Sequence, residues 1–125
     1  MELITINKDG ILEFGKVGNC PPYYKTESIG EIEYRGILLD GVKGFCRYIL
    51  EDDKIELRQI FIDEKERKKG YGSIIVNELI KIAKENNKKS IWLLSSTANI
   101  ENTFGKFLAF NGFIQLDKFL WEKKI

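Results

Sequence analysis

Histidine is missing from all 125 residues. That removes every Ser-His or Cys-His catalytic arrangement and the commonest zinc ligand. No set of carboxylates has the spacing of a metal site, so no metal is expected. Cysteine is scarce: Cys20 and Cys46 are the two present. A disulfide framework in a small secreted domain usually needs more, so two reduced thiols are expected. An excess of one charge is also lacking, with 20 basic residues against 19 acidic ones and a formal net charge of +1. A general nucleic-acid coat would be strongly basic, so any anion site here must come from a local cluster. No apolar run approaches the ~20 residues that span a bilayer. Met1-Glu2-Leu3-Ile4-Thr5 does not open a basic region followed by an apolar stretch, so the chain reads as soluble and cytoplasmic. Internal repeats and low-complexity tracts are absent too.

What is present suits one packed domain spanning 1–125. Hydrophobic residues make up 43% and aromatics 12%. A chain this long buries about two thirds of the surface it exposes when unfolded. Leu3–Asn7 and Ile11–Phe14 flank Lys8-Asp9-Gly10, and an Asp-Gly pair supplies the positive φ angles of a tight hairpin. Gly15–Ser28, with Pro21-Pro22, reads as a loop, because proline lacks an amide donor. Glu31–Leu39 and Val42–Leu50 flank Asp40-Gly41 as a second hairpin. After the polar turn Glu51–Lys54, Ile55–Ile62 adds a third consecutive strand to an antiparallel meander.

The pattern then changes. Apolar Ile75, Leu79, Ile82 and Ala83 recur at helical spacing over Ser73–Asn86, and Asn86-Asn87 ends the helix. Ile91-Trp92-Leu93-Leu94 is a near-continuous apolar run that suits a buried parallel strand. Asn99 is read as the N-cap of a second helix running to Phe110, closed by Asn111-Gly112. Phe113–Leu116 and Phe119–Lys123 form a last hairpin around Asp117-Lys118. The strand–helix–strand unit from Ile55 to Leu94 is expected to cross over right-handed and pair its strands in parallel. Ligands of such units bind beyond the carboxyl ends of the strands.

The segment at that end is Asp63-Glu64-Lys65-Glu66-Arg67-Lys68-Lys69-Gly70-Tyr71-Gly72. It opens directly into a helix, whose first amides have no internal partners and carry the positive end of the macrodipole. Such a terminus attracts anions. Gly70 and Gly72 present no side chains to hold a phosphate away, and Arg67, Lys68 and Lys69 add positive charge. The plain alternative is a solvated basic turn whose glycines serve close packing. The spacing is too short for a Walker loop, and the third glycine of a dinucleotide fingerprint is missing.

The run Ile62–Gly72 resembles the GNAT superfamily of N-acetyltransferases, whose acyl-coenzyme A signature is Arg/Gln-x-x-Gly-x-Gly/Ala between a strand and a long helix. Asn111-Gly112-Phe113 after an amphipathic helix is similar to that family's Gly-Phe. The resemblance covers Val42–Phe113, while the family's two early helices are reduced to the Gly15–Ser28 loop. It implies a mixed α/β fold: a central, mostly antiparallel sheet with one parallel strand–helix–strand unit and two main helices. It implies acetyl-coenzyme A as cofactor, with its pyrophosphate on the amides of Arg67, Lys68, Lys69, Gly70, Tyr71, Gly72 and Ser73. The pantetheine arm would pair with the backbone of Ile60, Phe61 and Ile62.

Acetyl transfer needs a deprotonated amine, which for a lysine-like group costs on the order of 4–5 kcal/mol at pH 7. Glu56, eleven residues before Arg67, matches the glutamate base of the histone-acetylating branch. The alternative for Glu56 is a strand carboxylate paired with Arg58 or a nearby lysine, and Gln59 is a second candidate, ordering a water. The family's helix tyrosine, which reprotonates the leaving thiolate, falls on Leu108 and is absent. The family's small residue falls on Phe104 and its asparagine on Glu101, leaving Asn99 and Asn102 to contact the cofactor. Tyr23 and Tyr24 lie in the early loop that lines the acceptor site in the family. Trp92 and Trp121 are read as core, and nothing near Cys46 in sequence would activate its thiol. The expected activity is acetyl transfer to a primary amine of a small molecule or peptide. No nucleic acid or membrane partner is expected, and a homodimer is left open. The rival reading is a non-catalytic acyl-coenzyme A sensor, which the missing tyrosine favours.

Overall fold

The computed structural model describes residues 3–6, 35–39, 44–62 and 64–125, with the backbone alone at 3–6, 35–39 and 64. Along the chain run β1 (Leu3–Ile6), β2 (Arg35–Leu39), β3 (Gly44–Leu50), β4 (Lys54–Ile62), a 3-10 turn (Glu64–Glu66), α1 (Tyr71–Glu85), β5 (Ser90–Leu94), α2 (Thr103–Phe110), β6 (Ile114–Gln115) and β7 (Leu120–Lys124). The described strands form one sheet in the order β1-β2-β3-β4-β5-β7-β6. Only β4 and β5 pair in parallel. This is the expected mixed sheet, with two helices among the described residues.

Several sequence expectations hold. β2 and β3 pair antiparallel from Leu39 opposite Gly44 to Arg35 opposite Tyr48. The turn between β3 and β4 closes with the Glu51 amide donating to the Lys54 carbonyl at 2.9 Å. The final hairpin turns on Asp117, whose Oδ1 accepts from the amides of Phe119 and Leu120. β7 then lies between β5 and β6. β1 pairs with β2. The expected hairpin partner Ile11–Phe14, the Gly15–Ser28 loop with Tyr23 and Tyr24, and the turn at Asp40-Gly41 lie outside the described residues.

Two-residue alternation along the strands divides the sheet into two faces. One carries Cys46, Tyr48, Ile55, Leu57, Ile91, Leu93 and Trp121, which join Ile75, Val76, Leu79, Ile82 and Ala83 of α1 and Leu108 of α2 in a single core. Full burial of Ile75 or Leu79 is worth about 1.5–3 kcal/mol each, which fixes α1 against this face. The other face carries Lys54, Glu56 and Trp92, and also Phe45 and Arg47, both of which are buried. Trp121 is core as expected. Trp92 is not: it is half-buried on the opposite face, because it is one residue out of phase with Ile91 and Leu93.

Both helices end the same way. Asn87 takes a left-handed φ of 57°, the Asn87 amide donates to the Lys84 carbonyl, and the Lys88 amide donates to the Ala83 carbonyl. The corresponding bonds in α2 run from Gly112 to Ala109 and from Phe113 to Leu108. These are Schellman closures, with Asn or Gly at the left-handed position. Among the described residues, no helix is long and apolar enough to cross a membrane.

The start of α2 corrects the sequence reading. Asn99 is not its cap. Asn102 is, with its Oδ1 accepting the Gly105 amide at 2.8 Å. Asn99 instead closes the preceding turn, its Oδ1 accepting from the amides of Glu101 and Asn102. Two asparagines three residues apart both suit a cap. Packing decides between them, because the Asn99 backbone lies against Gly105.

Candidate functional site

β4 is longer than its partnership with β5. The parallel pairing begins at Lys54 opposite Ser90 and ends at Leu57 opposite Leu93. On its other edge β4 stays paired with β3 out to Ile62 opposite Gly44. The register shifts between Arg47 and Tyr48, where Tyr48 faces Leu57 and Arg47 faces Gln59. Arg58 is therefore an extra residue, a β-bulge, and bulges bend the strand that carries them. Beyond it, the backbone of Ile60, Phe61 and Ile62 has no strand partner on the β5 side among the described residues.

At the far end of that open edge stands the N-terminus of α1. Its N-cap, Gly70, is left-handed at φ 84°, and no side chain caps the helix. The first helical bond is from the Ile74 amide to the Gly70 carbonyl. The amides of Tyr71, Gly72 and Ser73 therefore have no acceptor within the helix, and none among the described residues. A Cβ at Gly70 would meet nothing within 4 Å among the described residues. Glycine is needed there for its φ, and the space beside it is open. Gly72 differs: its missing Cβ makes room for Phe107, whose Cε1 would lie 2.5 Å away. Packing between α1 and α2 thus accounts for that glycine, while its amide still faces outward.

The loop cations are held unequally. Arg67 Nε donates to the Ile62 carbonyl at 3.0 Å, and its guanidinium sits 5.9 Å from the centre of the Phe61 ring. This ties the loop to the strand end and leaves the other guanidinium nitrogens for a ligand. Lys69 Nζ donates to Glu66 at 2.9 Å. That hydrogen bond, followed by the charge of Glu66, raises the pKa of Lys69 above its usual 10.5. Lys68 takes a left-handed φ of 66° and is exposed. Uncapped amides, open space and three nearby cations fit a diphosphate, and the unpaired edge of β4 fits an extended chain that carries amides.

Glu56 lies at the closed end of the same cleft. It is opposite Trp92 in β5, one residue before the parallel pairing stops. Its side chain is 16% exposed, and its Oε1 is 3.4 Å from Arg58 Nε. The Glu56–Arg58 pairing considered from sequence is thus present. Trp92 Nε1 donates to Glu122 at 2.7 Å, and Lys54 Nζ lies 4.5 Å from the Trp92 ring centre. Glu122 is a site neighbour that sequence reasoning missed. Only the register Glu56–Trp92–Glu122 across three strands reveals it.

On the β5 side, Asn102 organises the loop that leads into α2. Its Oδ1 accepts from the amides of Gly105 and Asn99, and its Nδ2 donates to the Thr97 carbonyl. The side chain expected to touch cofactor is therefore mostly occupied in holding its own loop. Phe104 and Phe107 stack at 6.4 Å beside the start of α1. Leu108 is fully buried in the core, so it offers nothing to the cleft. Among the described residues, no cluster of metal ligands occurs.

The sequence matches the acetyltransferase (GNAT) family over residues 18–104, well over half the chain. The chain belongs to the GNAT acetyltransferase family. No curated protein matches it in sequence. Many solved structures share its fold. One is Tetrahymena GCN5, at 13% identity and TM-score 0.75, covering 100% of this chain and 96% of that one. Another is an aminoglycoside 6'-acetyltransferase type Ii, at 19% identity and TM-score 0.73, covering 99% and 97%. A third is the PaiA N-acetyltransferase of Thermoplasma acidophilum, solved with coenzyme A, at 17% identity and TM-score 0.65, covering 100% of both chains. At these identities the likeness is one of fold, and this GNAT member's own chemistry rests on its own residues.

Proposed function

We propose that this GNAT protein transfers an acetyl group from acetyl-coenzyme A to a primary amine by direct attack. The observation that carries the reading is the alignment of an uncapped helix start with an unpaired strand edge, with a carboxylate at the far end. From Glu56 to Ile62 the strand spans roughly 20 Å, which gives an extended pantetheine arm a path from phosphate site to base.

In this reading the outward amides of Gly70, Tyr71, Gly72 and Ser73 hold the diphosphate, because oriented dipoles at a helix start favour negative charge. Arg67, Lys68 and Lys69 add charge around it. Ile60, Phe61 and Ile62 offer main-chain donors and acceptors to the pantetheine amides, in the manner of an added strand. Asn102 shapes the opposite wall through the Thr97–Asn99 loop. Bound acetyl-coenzyme A supplies the activated thioester. Glu56 takes the proton from the incoming amine, directly or through one water. With Leu108 in the core, the position of the family's tyrosine offers no acid. A thiol with a pKa near 8.5 leaves as thiolate without one.

A second reading, an acyl-coenzyme A sensor without turnover, draws support from the Glu56–Arg58 pair and from the buried Leu108. One experiment separates the two. Coenzyme A binding is measured by calorimetry, and thiol release from acetyl-coenzyme A is followed with spermidine, lysine and a lysine-containing peptide. Transfer predicts binding and release with at least one amine. Binding without release on any of them selects the sensor, and no binding removes both.

A further inference from the structure

Gln59 holds a buried polar atom without a bond: its Oε1 has no hydrogen-bond partner among the described residues. A buried carbonyl-type oxygen left without a donor is costly, and native structures keep few of them, commonly where a ligand or water completes the set. The bulge decides where this oxygen lies. In a regular strand residue 59 would face away from residue 56, since side chains alternate. The extra residue at Arg58 reverses that phase. Glu56 faces Ile49 and Gln59 faces Arg47, two residues apart along β3. The two side chains therefore share a face of the sheet about 7 Å apart along the strand, close enough for both to reach one nitrogen or one bound water between them. Bulges beside active sites commonly re-aim a side chain in this way.

The geometry points to Gln59 as a positioning residue for the acceptor: its side-chain oxygen receives an N–H of the incoming amine while Glu56 takes the proton. This rests on the acetyl-transfer reading and deepens it. Both groups offer oxygen acceptors, so the ligand they suit is rich in donors, an unhindered primary ammonium rather than a hydroxyl or a tertiary amine. Three N–H bonds on one nitrogen can serve Gln59 and Glu56 together.

Two variants of the full chain test it. Gln59→Leu keeps the bulk and removes the acceptor, and Gln59→Glu keeps an acceptor. With spermidine and with a lysine-containing peptide, Gln59→Leu should raise the amine KM about tenfold or more, the worth of one hydrogen bond to a charged donor. The KM for acetyl-coenzyme A should stay within about two-fold, and Gln59→Glu should recover most of the amine affinity. Because the free oxygen is a burden at rest, Gln59→Leu should also melt at the same temperature or higher. An unchanged amine KM overturns the proposal, and so does a lower melting temperature, which would give the oxygen a structural partner. If the wild-type chain releases no thiol, the transfer reading fails on that ground alone. The amine-dependent rise in melting temperature in the presence of coenzyme A then decides for Gln59: a rise in wild type lost in Gln59→Leu supports its role, and equal behaviour of the two overturns it.

Discussion

The Cβ that any other residue would bring to position 105 falls 1.6 Å from the carbonyl oxygen of Asn99. The start of α2 and the loop after β5 are thus pressed together, main chain on main chain, at the wall of the proposed cofactor cleft. The Gly105 amide is also the one that Asn102 caps. Because the obstructing atom is main chain, it has no rotamer to yield. Gly105→Ala is expected to cost about 3 kcal/mol or more, the upper end of overpacking effects. Urea unfolding measures this, and a loss below about 1 kcal/mol would mean that the loop moves aside freely.

The cap itself gives a second prediction. Asn102→Ala removes the cap of α2 and two loop bonds, and should cost about 1–2 kcal/mol. Asn99→Ala removes the two turn bonds that share its Oδ1 but no helix cap, and should cost about 0.5–1 kcal/mol. Unfolding of the two variants side by side would reverse this order if Asn99 were the true cap.

At Gly70 strain and ligand must be told apart. A residue with a Cβ at φ 84° pays about 1–2 kcal/mol in stability, so both Gly70→Ala and Gly70→Glu should unfold earlier than wild type. Only the glutamate places negative charge at the phosphate position. Calorimetry should find coenzyme A bound by the alanine variant within about tenfold of wild type, as one distorted turn allows, and not bound by the glutamate variant. Equal affinities would move the phosphates elsewhere.

The Glu66–Lys69 pair has a defined pH window. Glu66 raises the pKa of Lys69, so whatever the pair contributes is present while Lys69 is protonated in both states, below 10.5. It is lost as pH rises through the higher folded value. Glu66→Gln should therefore differ from wild type by a constant amount from about pH 6 to pH 9, well below the lysine range. The two should converge only in more alkaline solution. Thermal unfolding across that range checks it, and a difference that shrinks already by neutral pH would contradict the assignment.

For Glu56, the expected signature is kinetic. Loss of a base matters most when the amine is protonated. Glu56→Gln should lower turnover more at low pH than at high pH, with the ratio to wild type narrowing as pH rises. A ratio that stays flat would leave Glu56 as no more than the partner of Arg58.

Much of this was legible in the chain. The Asp117-Lys118 turn, the helical spacing of Ile75, Leu79 and Ile82, and the apolar run from Ile91 are local patterns. Local physics, in turn geometry and side-chain period, fixes the elements they encode. The Arg67–Gly72 loop was legible for the same reason, since its glycines and charges sit within one turn of the helix they open.

What the sequence determined by itself is this order of elements and the character of that loop. The tertiary structure alone decided where β4 and β5 part, which of two asparagines caps α2, and which glycine serves φ and which serves packing. It alone brought Gln59 and Glu122 onto the face of Glu56. These depend on register between strands and on contacts such as Phe107 with Gly72 or Asn99 with Gly105, which join residues far apart in the chain or on separate elements. A one-residue bulge reverses the facing of every residue after it on its strand, and no local pattern in Leu57-Arg58-Gln59 announces that shift.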